Sequence, residues 1–229
     1  DLVPLVDENR VIASLGLDRM NRRRHLGLAA LMDVAGIKGD VKSNHVAFFL
    51  GPRINATGRL DSADRAVRLL LTDDRTEAQS IAEELDRMNR ERQQLVEAIF
   101  SEAEAQMLED PERHRKVIVV ASEGWNIGVI GIVASRLVET YYRPAIVLGI
   151  EEETGLAKGS ARSIEGFDIY RALTACDDLL AQYGGHPRAA GMTLPAENLP
   201  ELQERLTELA EQWLTEEDYI PLMRVDANL

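Results

Sequence analysis

Apolar positions recur at helical spacing over residues 8–32, where Val11, Leu15, Leu17, Met20, Leu28, Leu31 and Met32 predict helix. Ahead of them Val3, Leu5 and Val6 are strand-like, in an opening, 1–12, that reads as the tail of something longer. A glycine-containing break follows at 32–39, then a short helix at 44–50. Residues 51–60, rich in Gly, Asn and Arg, read as a loop or a helix start. From 74 to 108 there is neither proline nor glycine, and Ile81, Leu85, Met88, Leu95, Ile99 and Ala103 recur at steps of three, four or seven. That predicts one helix of roughly 50 Å at the standard rise per residue. Its other faces are heavily charged, so it is expected to connect two bodies, with a boundary at 109–114 where Pro111 breaks the helix.

Beyond the boundary the pattern changes. Residues 116–122 (KVIVVAS) form a short continuous apolar run, the signature of a buried strand. Residues 127–141 read as helix, with Gly128, Gly131 and Ala134 making a thin face that allows close backbone approach. A second buried strand at 145–150 and a more polar third at 156–163 follow, then helix at 168–182, a strand at 189–194 and an amphipathic helix at 199–213. The order β-α-β-β-α-β-α predicts an α/β body with a mixed sheet flanked by helices. Residues 222–229 restart a strand-like pattern, and both ends read as cuts through a longer protein.

Composition narrows the function classes. The chain of 229 residues suits one large domain or two small ones, and 45% hydrophobic with 28% charged residues is ordinary for a soluble globular protein. The single cysteine, Cys176, excludes an internal disulfide or a cysteine-rich zinc site, and its apolar surroundings predict a packing role. No apolar run approaches the ~18 residues of a membrane span, and the first ten residues lack a signal-peptide pattern. A reducing, cytoplasmic setting without membrane contact is therefore expected. The net charge of −13 argues at first against a nucleic-acid partner. Residues 51–68, however, carry Arg53, Arg59, Arg65 and Arg68 against Asp61 and Asp64, while much of the acid lies in 77–112 and 197–218. An acidic body with a basic cleft stays compatible with a polyanion.

Three glycine-punctuated segments have the residue types for that chemistry. In 51–60 (GPRINATGRL), Arg53 and Arg59 bracket Asn55, and arginine's planar fork matches phosphate oxygens in pairs. Equally, these arginines could simply pair with Asp61 or Asp64. In 158–163 (KGSARS), small residues would let a ligand approach the backbone while Ser160, Arg162 and Ser163 supply donors, and strand alternation puts Ser160 and Arg162 on one face. The plain alternative is a solvated edge strand. In 183–191 (YGGHPRAAG), Gly184 and Gly185 before His186 predict a tight turn presenting the imidazole; a surface histidine is the plain alternative. His25, His45 and His114 have no such setting. No spacing of Asp and His suits a metal, and no nucleophile elbow or phosphate-binding P-loop is present.

The three segments in this order resemble the RecJ family of bacterial single-stranded-DNA 5′→3′ exonucleases, within the DHH phosphoesterase superfamily. Residues 53–59 (RINATGR), 124–139 (GWNIGVIGIVASRLVE), 159–164, 166–170 (GFDIY) and 184–186 (GGH) all carry the likeness. The opening 1–10 is similar to the segment after the last metal-binding motif of a DHH domain, and 224–229 to the lead into an OB domain. The resemblance implies the C-terminal part of a DHH domain at 1–72, a connector helix at 73–113, a DHHA1 domain at 114–218 and the start of an OB-like domain at 219–229. It implies a DNA repair and recombination enzyme whose Mn²⁺ or Mg²⁺ ions are held by a DHH region upstream, so that the chain alone binds no metal and is inactive. This chain would then furnish the phosphate-binding wall of a two-metal cleft for single-stranded DNA. Arg53, Asn55 and Arg59 would lie near the domain junction. Ser160 and Arg162 would grip the 5′-terminal phosphate, Lys158 and Ser163 beside them would also bind nucleic-acid phosphate, and His186 with Gly184 and Gly185 would contact the phosphate being cut. Asn126 and Ile127 depart from the family pattern, which leaves any ligand contact at 126 open.

Two other functions compete. One is a DHH/DHHA1 phosphoesterase of short oligonucleotides or cyclic dinucleotides, separable by dependence on polymer length. The other is a non-catalytic RNA- or DNA-binding module, against which the long helix and the DHH-like opening argue.

Overall fold

Helices build the first unit of the chain, residues 1–94, and a sheet with helices builds the second, residues 95–229, in a computed structural model that describes residues 3–222. The first unit runs through α1 (Asp7–Asn21), α2 (Leu26–Val34), α3 (Ser43–His45), a π-helical turn (Val46–Leu50), α4 (Gly51–Leu60), α5 (Asp64–Leu71) and the first part of α6 (Arg75–Glu109). Its core gathers Leu31, Met32, Leu50, Leu69, Ala82 and Leu85. Gly27 is required there: a Cβ on it would stand 1.8 Å from the Leu69 carbonyl oxygen.

Two expectations for this unit need correction. The strand-like opening is not a strand, since residues 3–6 have no regular structure and helix starts at Asp7. The helix expected over 8–32 is two helices. Arg23 takes a left-handed φ of 49°, and His25 caps α2 by accepting the Leu28 N–H on Nδ1 at 3.3 Å. Of the two readings of residues 51–60, loop or helix start, the structure has the helix. Pro52 suits a first helical turn, and the Gly51 N–H already bonds the Val46 carbonyl, so this stretch does not display free N–H groups to a ligand.

The long helix expected at 74–108 is α6, and the division between the units falls within it, at Gln94 and Leu95. Its later part is tied into the second unit. Val96, Ile99, Phe100, Ala103 and Met107 are buried, Trp125 Nε1 donates to Glu102 at 2.7 Å, and Tyr141 donates to Glu104.

In the second unit β1 (Ile118–Glu123), β2 (Ala145–Glu151), β3 (Leu156–Arg162), β4 (Gln182–His186) and β5 (Ala189–Pro195) form one mixed sheet in the order β1-β2-β3-β5-β4. Only β1 and β2 run parallel, joined through α7 (Ile130–Tyr141); the other neighbours are antiparallel. Ile146, Leu148, Ala157, Ala161, Ala190, Met192 and Leu194 belong to the core shared with α8 (Ile169–Thr174) and α9 (Leu199–Trp213), whose Leu173, Leu202 and Leu206 complete it. Burying each such leucine contributes about 1.5–3 kcal/mol. Cys176 lies in this core, and burial pushes its thiol up to about 11, as suits a packing residue. A following domain was expected to begin over 219–229; residues 223–229 of that span lie outside the described residues.

One strand was missed. The helix expected over 168–182 ends at Thr174, and after a 3-10 turn (Asp177–Leu179) the chain enters β4. The two adjacent glycines hide the alternation that would have marked it: Gln182, Gly184 and His186 are exposed while Tyr183 is half-buried between Gln182 and Gly184.

A candidate phosphate-binding face

The sheet register decides which residues share a surface. Arg162 pairs with Ala189, which pairs with His186. Ser160 pairs with Gly191, which pairs with Gly184, and Lys158 with Thr193, which pairs with Gln182. Side chains directly opposite one another point to the same side. Lys158, Ser160 and Arg162 therefore face the same way as Gly184 and His186, with β5 between them. Two strand spacings separate the segments, about 10 Å. Ala157, Gly159 and Ala161 alternate to the opposite side, toward the α8 and α9 core.

On the shared face α7 comes down on β3 so closely that a Cβ on Gly131 would stand 2.9 Å from Ser160 Oγ and 3.1 Å from an Arg162 guanidinium nitrogen. The thin helical face expected at Gly128, Gly131 and Ala134 thus meets the sheet at Gly131. Farther along, the surface is bare: Gln182, Gly184, His186 and Gly191 are all exposed. Gly184 and Gly191 have no packing reason to be glycine. Among the described residues nothing lies within 4 Å of a Cβ on Gly184, the nearest atom to one on Gly191 is 3.8 Å away, and neither has a positive φ. Glycine inside a strand costs roughly 0.5–1 kcal/mol relative to alanine, and close approach by another molecule is a recognised reason for keeping it. Gly185 is different. Its φ is 155°, and a Cβ there would stand 2.4 Å from the Ala189 carbonyl oxygen, so the hairpin itself requires it.

Individual side chains are held in defined ways. Arg162 Nη1 donates to Ser160 Oγ at 3.0 Å and to the Ala161 carbonyl at 2.8 Å, which lays the guanidinium along the strand. Lys158 is 3.9 Å from the Glu151 carboxylate in an exposed, weak pair. His186 Nδ1 accepts the Arg188 N–H at 3.4 Å, so in the neutral ring the proton sits on Nε2, a donor for an anion. Ser163 does not join this face. It is buried, its hydroxyl donates to the Phe167 carbonyl at 2.6 Å, and its N–H bonds the Arg188 carbonyl at 3.0 Å. Together with the bond from the Ile169 N–H to the Pro187 carbonyl, it fastens the β4–β5 turn that carries His186. Asn126 Oδ1 accepts the Gly128 N–H at 2.8 Å and shapes the approach to α7.

The arginines of 53–59 lie in the first unit. Arg53 is nearly buried and donates from Nε to Asp86 at 2.9 Å and from Nη1 to the Phe49 carbonyl at 2.7 Å, while Arg90 reaches the other Asp86 oxygen at 2.9 Å. Its partner is a carboxylate of α6, not Asp61 or Asp64; Asp61 is 3.3 Å from Arg65. Asn55 and Arg59 are exposed on α4. Sequence reasoning missed β4 as a strand, and with it the contribution of Gln182, Gly191 and Thr193 to the open face. No local signal marked it, because Gly184 and Gly185 carry no side chains to show the alternation. Among the described residues no group of three His, Cys, Asp or Glu side chains is placed to hold a metal ion, so no chemical step is assigned to a metal on these residues. No helix among them is long and apolar enough to cross a membrane.

Residues 114–212 match the DHHA1 domain family, so the sheet unit carrying this face is a DHHA1 domain. Over 227 residues the chain is 53% identical to the single-stranded-DNA-specific exonuclease RecJ of Bacillus subtilis (strain 168), covering 99% of this chain and 29% of that protein. It is 36% identical over 224 residues to RecJ of Escherichia coli (strain K12), covering 93% and 38%. The crystal structure of RecJ in complex with Mg²⁺ from Thermus thermophilus superposes with a TM-score of 0.83 at 37% identity, over 93% of this chain and 33% of that one. A second structure of that protein is a complex with Mn²⁺. The chain is homologous to the DHHA1-containing portion of RecJ, and spans about a third of the length of these relatives.

Proposed function

We propose that this chain is the phosphate-binding portion of a RecJ-type 5′→3′ exonuclease acting on single-stranded DNA, and that the open β3–β5–β4 face holds the strand's phosphates. One observation carries the reading: Lys158, Ser160, Arg162, Gly184 and His186, from two segments some twenty residues apart, share one side of the sheet across a floor of small residues. The fold needs no glycine at 184 or 191, whereas a phosphate lying on the sheet does. Arg162, held by Ser160, takes the 5′-terminal phosphate through its planar fork. His186, on the strand two spacings away across β5, donates from Nε2 to the phosphate being cut. Such contacts position the backbone and read no bases, so weak sequence preference follows. The Mn²⁺ or Mg²⁺ that activates water in such a reaction is supplied by other parts of the enzyme, and this chain alone does not cleave.

The test is fluorescence anisotropy of short thymidine oligonucleotides bearing a 5′-phosphate or a 5′-hydroxyl. Arg162→Ala is expected to weaken the phosphorylated strand by about 1.5–3 kcal/mol and the hydroxyl strand by much less. His186→Ala should weaken both alike. Equal loss on both strands in Arg162→Ala removes the 5′-phosphate assignment. Affinity that does not grow from dinucleotide to longer strands favours the short-oligonucleotide phosphoesterase instead.

A further inference from the structure

The sheet unit covers its aromatic rings with one exception. Among its described residues Phe100, Trp125, Phe167 and Tyr219 are buried and the other rings are partly covered, but Tyr170 on α8 is exposed. Its backbone is nevertheless firmly seated. Asp168 caps α8 by accepting the Arg171 N–H at 3.0 Å. The Ile169 N–H bonds the Pro187 carbonyl at 3.1 Å, which fastens the first turn of α8 to the β4–β5 turn beside His186. The Tyr170 ring then leans on Tyr183 of β4, with centroids 6.0 Å apart and planes inclined at 43°, within the range of an attractive aromatic pair. Alternation turns Tyr183 to the side opposite Gly184 and His186. The ring pair and the phosphate face are thus the two sides of one strand. Among the described residues β4 is the last strand of the sheet, and its Gly184 and Gly185 are exposed and carry no side chains. A polymer leaving the face at this edge crosses bare backbone before it reaches the Tyr170 ring.

We propose that Tyr170, backed by Tyr183, is a base-stacking platform that takes a base of the single strand where its backbone has crossed β4. This rests on the reading of the sheet face as the holder of the strand's phosphates, since that path runs from Arg162 across β5 to His186 and continues over the edge. Every base has a π-face, so a tyrosine ring adds affinity without reading sequence, in keeping with contacts made to phosphates. A chain of net charge −13 gains little from general attraction to a polyanion, which gives weight to a contact that does not depend on charge. A ring already propped by its neighbour also loses little freedom when a base settles on it.

The experiment compares two 5′-phosphorylated probes of equal length bound to the full chain, one a thymidine oligonucleotide and one an abasic sugar–phosphate strand. Tyr170→Ala is expected to weaken the thymidine strand roughly tenfold and to leave the abasic strand unchanged. The slope of log affinity against log salt should be kept, since no charge is lost. Tyr170→Phe and Tyr170→Trp should bind as the parent does. Tyr170→Leu keeps an apolar cover over Tyr183 and should weaken binding as Tyr170→Ala does, which separates stacking from mere packing; thermal melts confirm that each variant is folded. Parental affinity in Tyr170→Ala overturns the platform. So does an equal loss on both probes, which marks a structural role, or a loss in Tyr170→Phe as large as in Tyr170→Ala, which assigns the effect to the hydroxyl. In the same titrations Arg162→Ala reports on the phosphate face and should weaken both probes. Sensitivity to Arg162 without sensitivity to Tyr170 overturns the platform and leaves the face standing. A base-dependent loss at Tyr170 without sensitivity to Arg162 overturns the face and leaves a base contact. A parent chain that binds neither probe overturns both.

Discussion

Replacing Gly184 and Gly191 together by alanine should make the protein more stable and its grip on DNA weaker. The fold has room for both methyl groups: no atom of the described residues lies within 4 Å of a Cβ at 184, and the nearest to one at 191 is the Gly159 carbonyl oxygen at 3.8 Å. Neither position has a positive φ, so alanine fits without strain and mainly restricts the unfolded chain. That restriction is worth about 0.4–1 kcal/mol per site, or roughly 1–2 kcal/mol for the pair. On the ligand side, each Cβ raises the floor by about 1.5 Å, the length of a carbon–carbon bond. A phosphate resting on the paired glycines would be lifted out of reach of Ser160, Arg162 or His186. Losing one charge-assisted hydrogen bond costs about 1.5–3 kcal/mol, which is roughly ten- to a hundredfold in affinity. Urea unfolding gives the first quantity, and anisotropy with a 5′-phosphorylated thymidine oligonucleotide gives the second. Gly185→Ala is the contrast, because its Cβ would stand 2.4 Å from the Ala189 carbonyl oxygen and its φ is 155°; it should lose stability. A double alanine variant that is more stable and binds as tightly as the parent would refute the reasoning, since the glycines would then have no ligand to accommodate.

Two other outcomes follow from buried polar groups. His114 is nearly buried and its Nδ1 has no hydrogen-bond partner among the described residues; burial first, and Arg113 next, lower its pKa from the ordinary 6.5. The unfolded chain then binds a proton that the folded one refuses, so this group's stability contribution is complete above pH 6.5 and is lost as pH falls below it. Urea midpoints at about pH 7 and pH 5.5 should differ less in His114→Leu than in the parent, and an unchanged difference would rule His114 out as the cause. Asp86→Asn should destabilise the first unit by about 2 kcal/mol, because it leaves the nearly buried Arg53 without its carboxylate, while Arg90→Ala should stay within about 0.5 kcal/mol because Arg90 is exposed. Similar unfolding midpoints for the two variants would show that burial does not set the worth of these pairs.

How much of this was legible depended on whether the governing interaction was local. The helix at 74–108 and the strands at 116–122, 145–150 and 156–163 were readable because their periodicity is continuous and the apolar side chains that carry it sit in the core. The facing of Ser160 with Arg162 followed from alternation alone, and the structure joins them by a hydrogen bond of 3.0 Å. Ser163 next to them was read as another donor, although parity turns it the other way, to the Phe167 carbonyl. The helix break at Arg23 could not be seen, since its left-handed φ is imposed by the path between α1 and α2 and arginine has no preference for it. β4 was hidden for a related reason. Its two glycines carry no side chains to reveal a period, and it is a strand only because β5 lies alongside to pair with it. Pairing is a long-range property, yet it is what brings Gly184 and His186 onto the face of Ser160 and Arg162. The residues for the site could thus be chosen from local chemistry, whereas their meeting depends on the interposed β5, whose small Ala189 and Gly191 leave the floor between them open.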